Sequence, residues 1–256
     1  MTENSVDEFL LGENETPNED ERVFNDEGIE RVTGGLVTDW SPAATFDVLF
    51  QIAGLSRQAD PSNIELHTFA YLACLMSIFR GRPASDWGYT FSAVPPTLPF
   101  SPAIESALAD LIKGGFIEAT VPPGPKNNTE VVLARHGITD RGRQELEIWR
   151  GLTMFSSRVA YLDAATKTAV FSSFPAVVNS LSYEPQLNAA LLTDGPRMLL
   201  TSVTSAPLYE QFAALLEVLG SEHEELIVPA SLYLNFLTQQ AQEQLDQSLE
   251  VQGDET

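Results

Sequence analysis

Apolar residues recur at helical spacing through most of the chain after residue 40. Two of these segments begin with a serine–proline pair, Ser41-Pro42 and Ser101-Pro102, because a serine caps a helix and a proline fits its first turn. A third segment begins at Asp60-Pro61 and is apolar on nearly every side up to Phe79. The pattern therefore predicts three helices before Gly114-Gly115, with the second at the centre of the fold.

Proline and glycine interrupt the helical pattern over residues 81–100, which predicts a loop with at most a short turn. After the third helix, two β-prone runs, Phe116–Val121 and Thr129–Ala134, flank a segment rich in proline and asparagine. Thr139 or Asp140 then caps a fourth helix. This order of helices and hairpin is typical of a winged helix, with the hairpin as the wing and the third helix in the position that reads DNA.

A short heptad seam follows the wing, with apolar residues spaced 4, 3, 4 and 3 apart. Its members are Ile148, Leu152, Phe155, Val159 and Leu162. The seam predicts one helix of about seven turns, which either packs on the winged helix or presents a stripe to the coiled coil of another chain. Helical patterns continue over residues 168–192 and resume near Ala206-Pro207 and Val228-Pro229.

These elements predict a mainly α fold with a small β-hairpin wing, a winged-helix core followed by a helical C-terminal region. We expect an acidic disordered arm at residues 1–38, a winged-helix domain at 39–147, a helical region at 148–244 and an acidic tail at 245–256.

The negative charge is concentrated at the two ends of the sequence. The chain carries 36 acidic and 14 basic side chains, a net charge of −22. Residues 1–40 hold 12 acidic and 2 basic side chains, a net −10, and residues 237–256 hold 5 acidic and none basic. The apolar positions of the arm are Phe9-Leu10-Leu11 and Val23-Phe24. The arm is therefore either a solubilising tail or a short peptide that folds onto a partner.

The winged-helix region lacks the positive charge of a DNA reader. Residues 64–146 carry 7 basic and 8 acidic side chains, and the third helix has no arginine to pair with guanine or phosphate. The basic pairs are Arg80 with Arg82 and Arg141 with Arg143. They are either solvated helix ends or a small patch for an acidic partner or a DNA backbone. We expect DNA to be contacted only indirectly, through a complex.

The sequence holds no recognisable catalytic motif. It contains no P-loop, GxGxxG, GxSxG or HExxH pattern, and its three histidines, His67, His136 and His223, are scattered. Cys74 is the only cysteine and lies in the central helix, where we expect a small core residue. We therefore assign no catalytic, cofactor-binding or metal-binding residue. The acidic N-terminus and the lack of a long apolar run predict a cytoplasmic protein without a membrane segment.

Four stretches carry a resemblance to a known family: ATFDVLFQIAGLS, IELHTFAYLACLM, PFSPAIESALADLIKGGFIEA and GITDRGRQELE. In order and spacing they resemble the middle components of bacterial ABC three-component defence systems, including the small accessory subunit of Lamassu-type anti-phage systems. The resemblance covers roughly residues 41–166. A looser resemblance is to the acidic winged-helix partners of SMC–kleisin complexes.

The resemblance implies a non-enzymatic adaptor that binds an SMC- or Rad50-like ABC ATPase and helps couple it to an effector nuclease, in a hetero-oligomer that defends against phages or plasmids. The alternative is a winged-helix transcription regulator, since TDRGR after a wing also occurs in that class. We expect partner contacts along the seam and at the wing tip, with Pro123 and Lys126.

Overall fold

Helices make up most of the part of the chain that the computed structural model describes, which confirms the mainly α prediction. The described residues are 41–94, 97–122, 133–191, 197–201, 206–219 and 225–253. The predicted arm, the wing-tip residues Pro123 and Lys126, and His223 lie outside them. The helices are α1 (Pro42–Leu55), α2 (Asn63–Phe79), α3 (Pro102–Lys113), α4 (Asp140–Arg150), α5 (Thr153–Phe171), α6 (Phe174–Ser182), α7 (Pro185–Leu191), α8 (Ala206–Leu219) and α9 (Ile227–Gly253). The strands are β1 (Phe91–Val94), β2 (Thr97–Phe100), β3 (Ile117–Thr120), β4 (Arg135–Ile138) and β5 (Arg197–Leu199).

Helix α2 lies at the centre of the core, as its all-round apolar pattern predicts. Every residue from Glu65 to Phe79 is buried, and α1, α5, α6 and β2 pack around the helix. The helix begins later than the predicted Asp60-Pro61, because Ser62 and Glu65 form a capping box. The Ser62 N–H donates to Glu65 Oε2 at 2.6 Å, and the Glu65 N–H donates to Ser62 Oγ at 3.4 Å.

The short turn predicted at Pro83–Trp87 is confirmed, but the loop predicted for the rest of residues 81–100 is wrong, because it contains two strands. After a single 3₁₀ turn at Ala84–Trp87, β1 and β2 form an antiparallel pair, and β5 joins the other edge of β1. Phe91 and Ala93 are buried on alternate positions of β1. Pro99 is tolerated because β2 is an edge strand. Pro99 therefore lies in an edge strand, and the prolines of this segment hid the alternation that indicates a strand.

A second hairpin, β3–β4, follows α3 as predicted, and its second strand is Arg135–Ile138; of the predicted run Thr129–Ala134, residues 129–132 lie outside the described part of the chain. In the observed register Ile117 pairs with Ile138. Strand β4 contains Arg135 and His136, which have weak β propensity. Tertiary contacts hold them there: the His136 N–H donates to Pro61 O at 2.9 Å, and Arg135 donates to Glu65 at 2.6 Å.

The single helix of seven turns predicted after the wing is also wrong. Helix α4 ends at Arg150, Gly151 caps it, and α5 begins only at Thr153. The Gly151 N–H donates to Ile148 O at 3.1 Å, which closes a tight corner between the two helices. The predicted boundary between residues 147 and 148 falls inside α4. Helix α5 packs on α1 and α2, in the same compact unit of the chain, Thr38–Thr256.

The C-terminal helices differ from the prediction in two ways. The stretch 168–192 is divided among the end of α5, α6 and α7, because Ser173 caps a new helix with Pro175 in its first turn. Helix α9 continues to Gly253, so the tail predicted at 245–256 is helical up to that residue. None of the helices in the described ranges has both the length and the apolar character that a membrane span requires.

Candidate partner-binding surface

The most deeply buried ion pair joins α1 to α5. Asp47 is fully buried, and the Arg158 Nε donates to its Oδ1 at 2.8 Å while the Tyr89 hydroxyl donates to its Oδ2 at 2.8 Å. The Arg158 guanidinium also stacks 3.9 Å from the Trp87 ring centroid and donates to Trp87 O at 2.5 Å. Burial raises the pKa of Asp47 against the opposing charge of Arg158. This network ties together α1, α5 and the turn before β1.

A second buried carboxyl joins α2 to α7. The Tyr71 hydroxyl donates to Glu184 Oε2 at 2.9 Å, and the backbone N–H groups of Gln186 and Leu187 donate to the same oxygen at 3.1 and 3.0 Å. Burial raises the pKa of Glu184. Glu184 therefore acts as the N-terminal cap of α7 and anchors that helix to the core.

Cys74 is a packed core residue, as the sequence predicts, and His67, whose position in the sequence fits either a packed or a surface histidine, is also buried in the core. The Ser101 N–H donates to His67 Nδ1 at 3.2 Å, so His67 Nε2 carries the proton and donates to Glu105 Oε1 at 2.9 Å. This bond lowers the pKa of Glu105. Cys74 lines a cavity of about 460 Å³, and burial raises the pKa of its thiol, which keeps it protonated. The described ranges hold no group of three or more His, Cys, Asp or Glu side chains placed to bind a metal ion.

The exposed apolar residues of the predicted seam lie where α4 meets α5. Ile148 is 62% exposed, Leu152 43% and Met154 62%, and we call these three residues the α4–α5 corner. The corner has a rigid base, because the Phe155 ring stacks on the Phe46 ring at a centroid distance of 4.3 Å and an interplanar angle of 2°. Exposed apolar side chains on a well-ordered turn are a feature of protein-binding surfaces.

The seam as a continuous partner-facing stripe is wrong, because the turn at Gly151 rotates α5 relative to α4. Phe155 and Leu162 are core residues with exposures of 5% and 0%, so they cannot contact a partner in the folded chain. Val159 is half-buried against the core. Partner contact by Ile148 and Leu152 stays a prediction. The heptad spacing missed Met154, since it does not fall on the seam.

A groove with three arginines borders this corner. It has a volume of about 340 Å³ and is formed by the end of α1 and one face of α4. Its lining residues are Ala53, Ser56, Arg57, Arg143, Leu146, Glu147 and Arg150, and we call it the arginine groove. Arg150 contacts Glu147 at 3.5 Å and lies 5.0 Å above the Phe50 ring. Arg143 and Arg150 are seven residues apart, a spacing that places both on one helix face, whereas only the fold could reveal Arg57.

The other predicted basic residues lie elsewhere. Arg141 donates to Gly114 O at 2.7 Å and stacks on Phe116, so Arg141 and Arg143 do not form one patch. Arg80 caps the end of α2 as predicted, and Arg82 lies 5.8 Å from the Tyr161 ring. The exposed side chains of α3 include Asp110, Ile112 and Lys113 but no arginine.

Comparison of the chain with protein-family models, curated proteins and solved structures yields no match. Its function is therefore inferred from its own residues, above all from the α4–α5 corner and the arginine groove.

Proposed function

We propose that this protein is a non-enzymatic accessory subunit that binds a partner protein through the α4–α5 corner. The observation that carries the proposal is the exposure of Ile148, Leu152 and Met154 on a turn whose backbone and aromatic base are fixed. Covering exposed apolar side chains on such a turn with another surface removes them from water, which favours association.

The proposal treats α1, α2, α3, β3–β4 and α4 as a winged-helix module. Its support is the element order and the pairing of β4 with the segment before α2, through the bridge between Ser62 and Arg135. The β1–β2 hairpin replaces the short turn that usually joins the second and third helices. Because the exposed face of α3 carries Asp110 and Lys113 but no arginine, the module is suited to protein contacts more than to reading base pairs.

The proposed partner is an SMC-like ABC ATPase, which this cytoplasmic subunit helps couple to an effector nuclease in defence against phages or plasmids. The support is the resemblance over residues 41–166, a range that includes the whole α4–α5 corner. Because a coiled coil buries its own a and d stripes, the corner residues would cover apolar side chains that the ATPase exposes outside those positions.

The size of the corner is consistent with a modest contribution to an interface. Burying the exposed parts of Ile148 and Met154 contributes about 1–2 kcal/mol each, from the usual 1.5–3 kcal/mol for a whole side chain. The sum of about 2–4 kcal/mol is reduced by the free-energy costs of association, so other contacts must add to it.

The direct experiment is affinity purification of the tagged full-length protein from its native host, followed by mass spectrometry. The proposal predicts stoichiometric recovery of an SMC-like ATPase. Recovery of no such ATPase, together with nanomolar binding to a specific operator in a gel-shift assay, would instead establish the alternative, a winged-helix transcription regulator.

A further inference from the structure

The arginine groove holds more positive charge than its described neighbours neutralise. Of its four charged side chains, three are arginines and one is a glutamate, and Glu147 pairs only with Arg150. Within the described residues, Arg57 and Arg143 have no ion-pair partner, and both are exposed. In a chain with 36 acidic and 14 basic side chains, two unpaired arginines in one groove leave it free to bind an external anion.

The wall of the groove also contains an unused hydrogen-bond donor. The Ser56 Oγ is shielded from solvent and has no hydrogen-bond partner among the residues that the structure describes. A buried hydroxyl without a partner costs free energy, which an acceptor placed in the groove would recover. Ser56, Arg57 and Arg143 line one volume of about 340 Å³, in which the two arginines are exposed, and the shielded Ser56 hydroxyl reaches an acceptor there once its side chain rotates.

The spacing of the donors matches an extended peptide. Arg143 and Arg150 are seven residues apart on α4, which separates their backbones by about 10 Å along the helix axis. Side chains alternate between the two faces of an extended chain that rises about 3.3 Å per residue, so carboxylates two or four positions apart, about 7 or 13 Å, lie on one face and can reach the arginines of the groove. The apolar side chains of Ala53 and Leu146 line the same groove and suit the aliphatic part of glutamate.

We propose that the arginine groove binds an acidic segment of the partner protein, with its carboxylates on Arg57 and Arg143 and a hydrogen bond from Ser56. This inference rests on the proposed function and specifies the chemistry of the partner. Arg150 lines the groove and lies two residues before Leu152, at the turn of the α4–α5 corner. One partner segment with acidic and apolar residues can therefore cover both the arginine groove and the corner.

A carboxylate-bearing peptide fits the groove better than a nucleic-acid backbone does. Duplex DNA is held by many phosphate contacts, so a site with only a few cations binds it weakly at physiological salt. The groove offers three arginines, one of them already paired with Glu147, on a chain with a net charge of −22. Glu147 would repel a continuous row of phosphates, whereas spaced carboxylates can avoid it.

The test is fluorescence anisotropy of the full-length protein with a short labelled peptide that alternates glutamate and leucine. We expect saturable binding that weakens as salt rises, and a loss of at least about tenfold in affinity for the double variant Arg57→Gln/Arg143→Gln. The matched control is Arg197→Gln, an exposed arginine on β5, which should bind like the wild type. A glutamine–leucine peptide should not bind to any of the three proteins.

Equal affinity of the double variant and the wild type, or no binding of the glutamate–leucine peptide, would overturn the proposal. A duplex oligonucleotide that binds more tightly than the peptide and loses affinity in the double variant would assign the groove to phosphate instead. The assay uses no ATPase, so its result is independent of whether the SMC-like partner is correct. Conversely, copurification of that ATPase by a double variant that fails to bind the peptide would leave the proposed function intact and reject only the acidic segment.

Discussion

Replacing Arg158 with methionine should destabilise the fold more than any change at the candidate surface. The substitution Arg158→Met keeps a long side chain beside Trp87 but removes the cation that, within the described ranges, pairs with Asp47. Asp47 is fully buried, and after the change its carboxylate retains only the hydrogen bond from the Tyr89 hydroxyl.

The expected cost follows from the buried charge that is left behind. Removing one partner of a buried ion pair costs about 3–5 kcal/mol, a large part of the roughly 5–15 kcal/mol that stabilises a typical domain. Adding Asp47→Asn removes the charge at nearly constant shape, so the double variant should recover at least about half of the loss.

The assay is urea unfolding followed by far-ultraviolet circular dichroism, at about pH 7 and about pH 5. In Arg158→Met the pKa of Asp47 is expected to rise further, because burial is no longer opposed by Arg158. A carboxyl whose pKa is higher in the folded state lowers stability above that pKa, and the deficit shrinks as the pH falls. The deficit of Arg158→Met should therefore be smaller at the lower pH.

Two results would refute this reasoning. One is a stability of Arg158→Met within about 1 kcal/mol of the wild type, which would mean that Asp47 is not held as a buried charge. The other is a double variant no more stable than Arg158→Met, which would mean that lost packing around Trp87, and not the unpaired charge, causes the loss.

Two further predictions concern a second buried carboxyl and the two sides of the α4–α5 turn. Burial raises the pKa of Glu184, so the ionised carboxylate lowers the stability of the wild type above that pKa. The stability of Glu184→Gln relative to the wild type should therefore increase as the pH rises from about 4.5 to neutrality. A difference that does not change with pH in urea titrations would contradict this. Phe155→Asp should fail to fold, since Phe155 is buried and stacked on Phe46. The free energy of unfolding of Ile148→Asp should lie within about 0.5 kcal/mol of the wild-type value, because Ile148 is exposed. Equal melting temperatures for the two variants would show that this assignment of core and surface is wrong.

The sequence predicts the elements that depend on neighbouring residues. The caps at Ser41 and Thr139 are local signals, and the structure confirms both. The glycine stop after α3 is also confirmed, with Gly115 at a φ of +70° and the Phe116 N–H donating to Leu111 O at 3.0 Å.

What the sequence does not predict depends on residues far apart in the chain. Asp47 and Arg158 are 111 positions apart, and neither stands in a motif. The arginine groove is formed only when the end of α1 brings Arg57 to α4. The heptad spacing suggested one long helix because it counts apolar residues and gives no weight to Gly151, whose N–H donates to Ile148 O where α4 ends.

The central claim is that the α4–α5 corner binds the partner, and copurification with matched variants tests it most directly. The variant Ile148→Asp/Met154→Asp places two charges on the corner, and Val218→Asp places one on α8 at an apolar residue that is 81% exposed. We predict that all three proteins, wild type included, have similar melting temperatures. The corner variant should recover at least about tenfold less SMC-like ATPase than the wild type, while Val218→Asp recovers the wild-type amount. Full recovery of the ATPase by a folded Ile148→Asp/Met154→Asp variant would contradict the account.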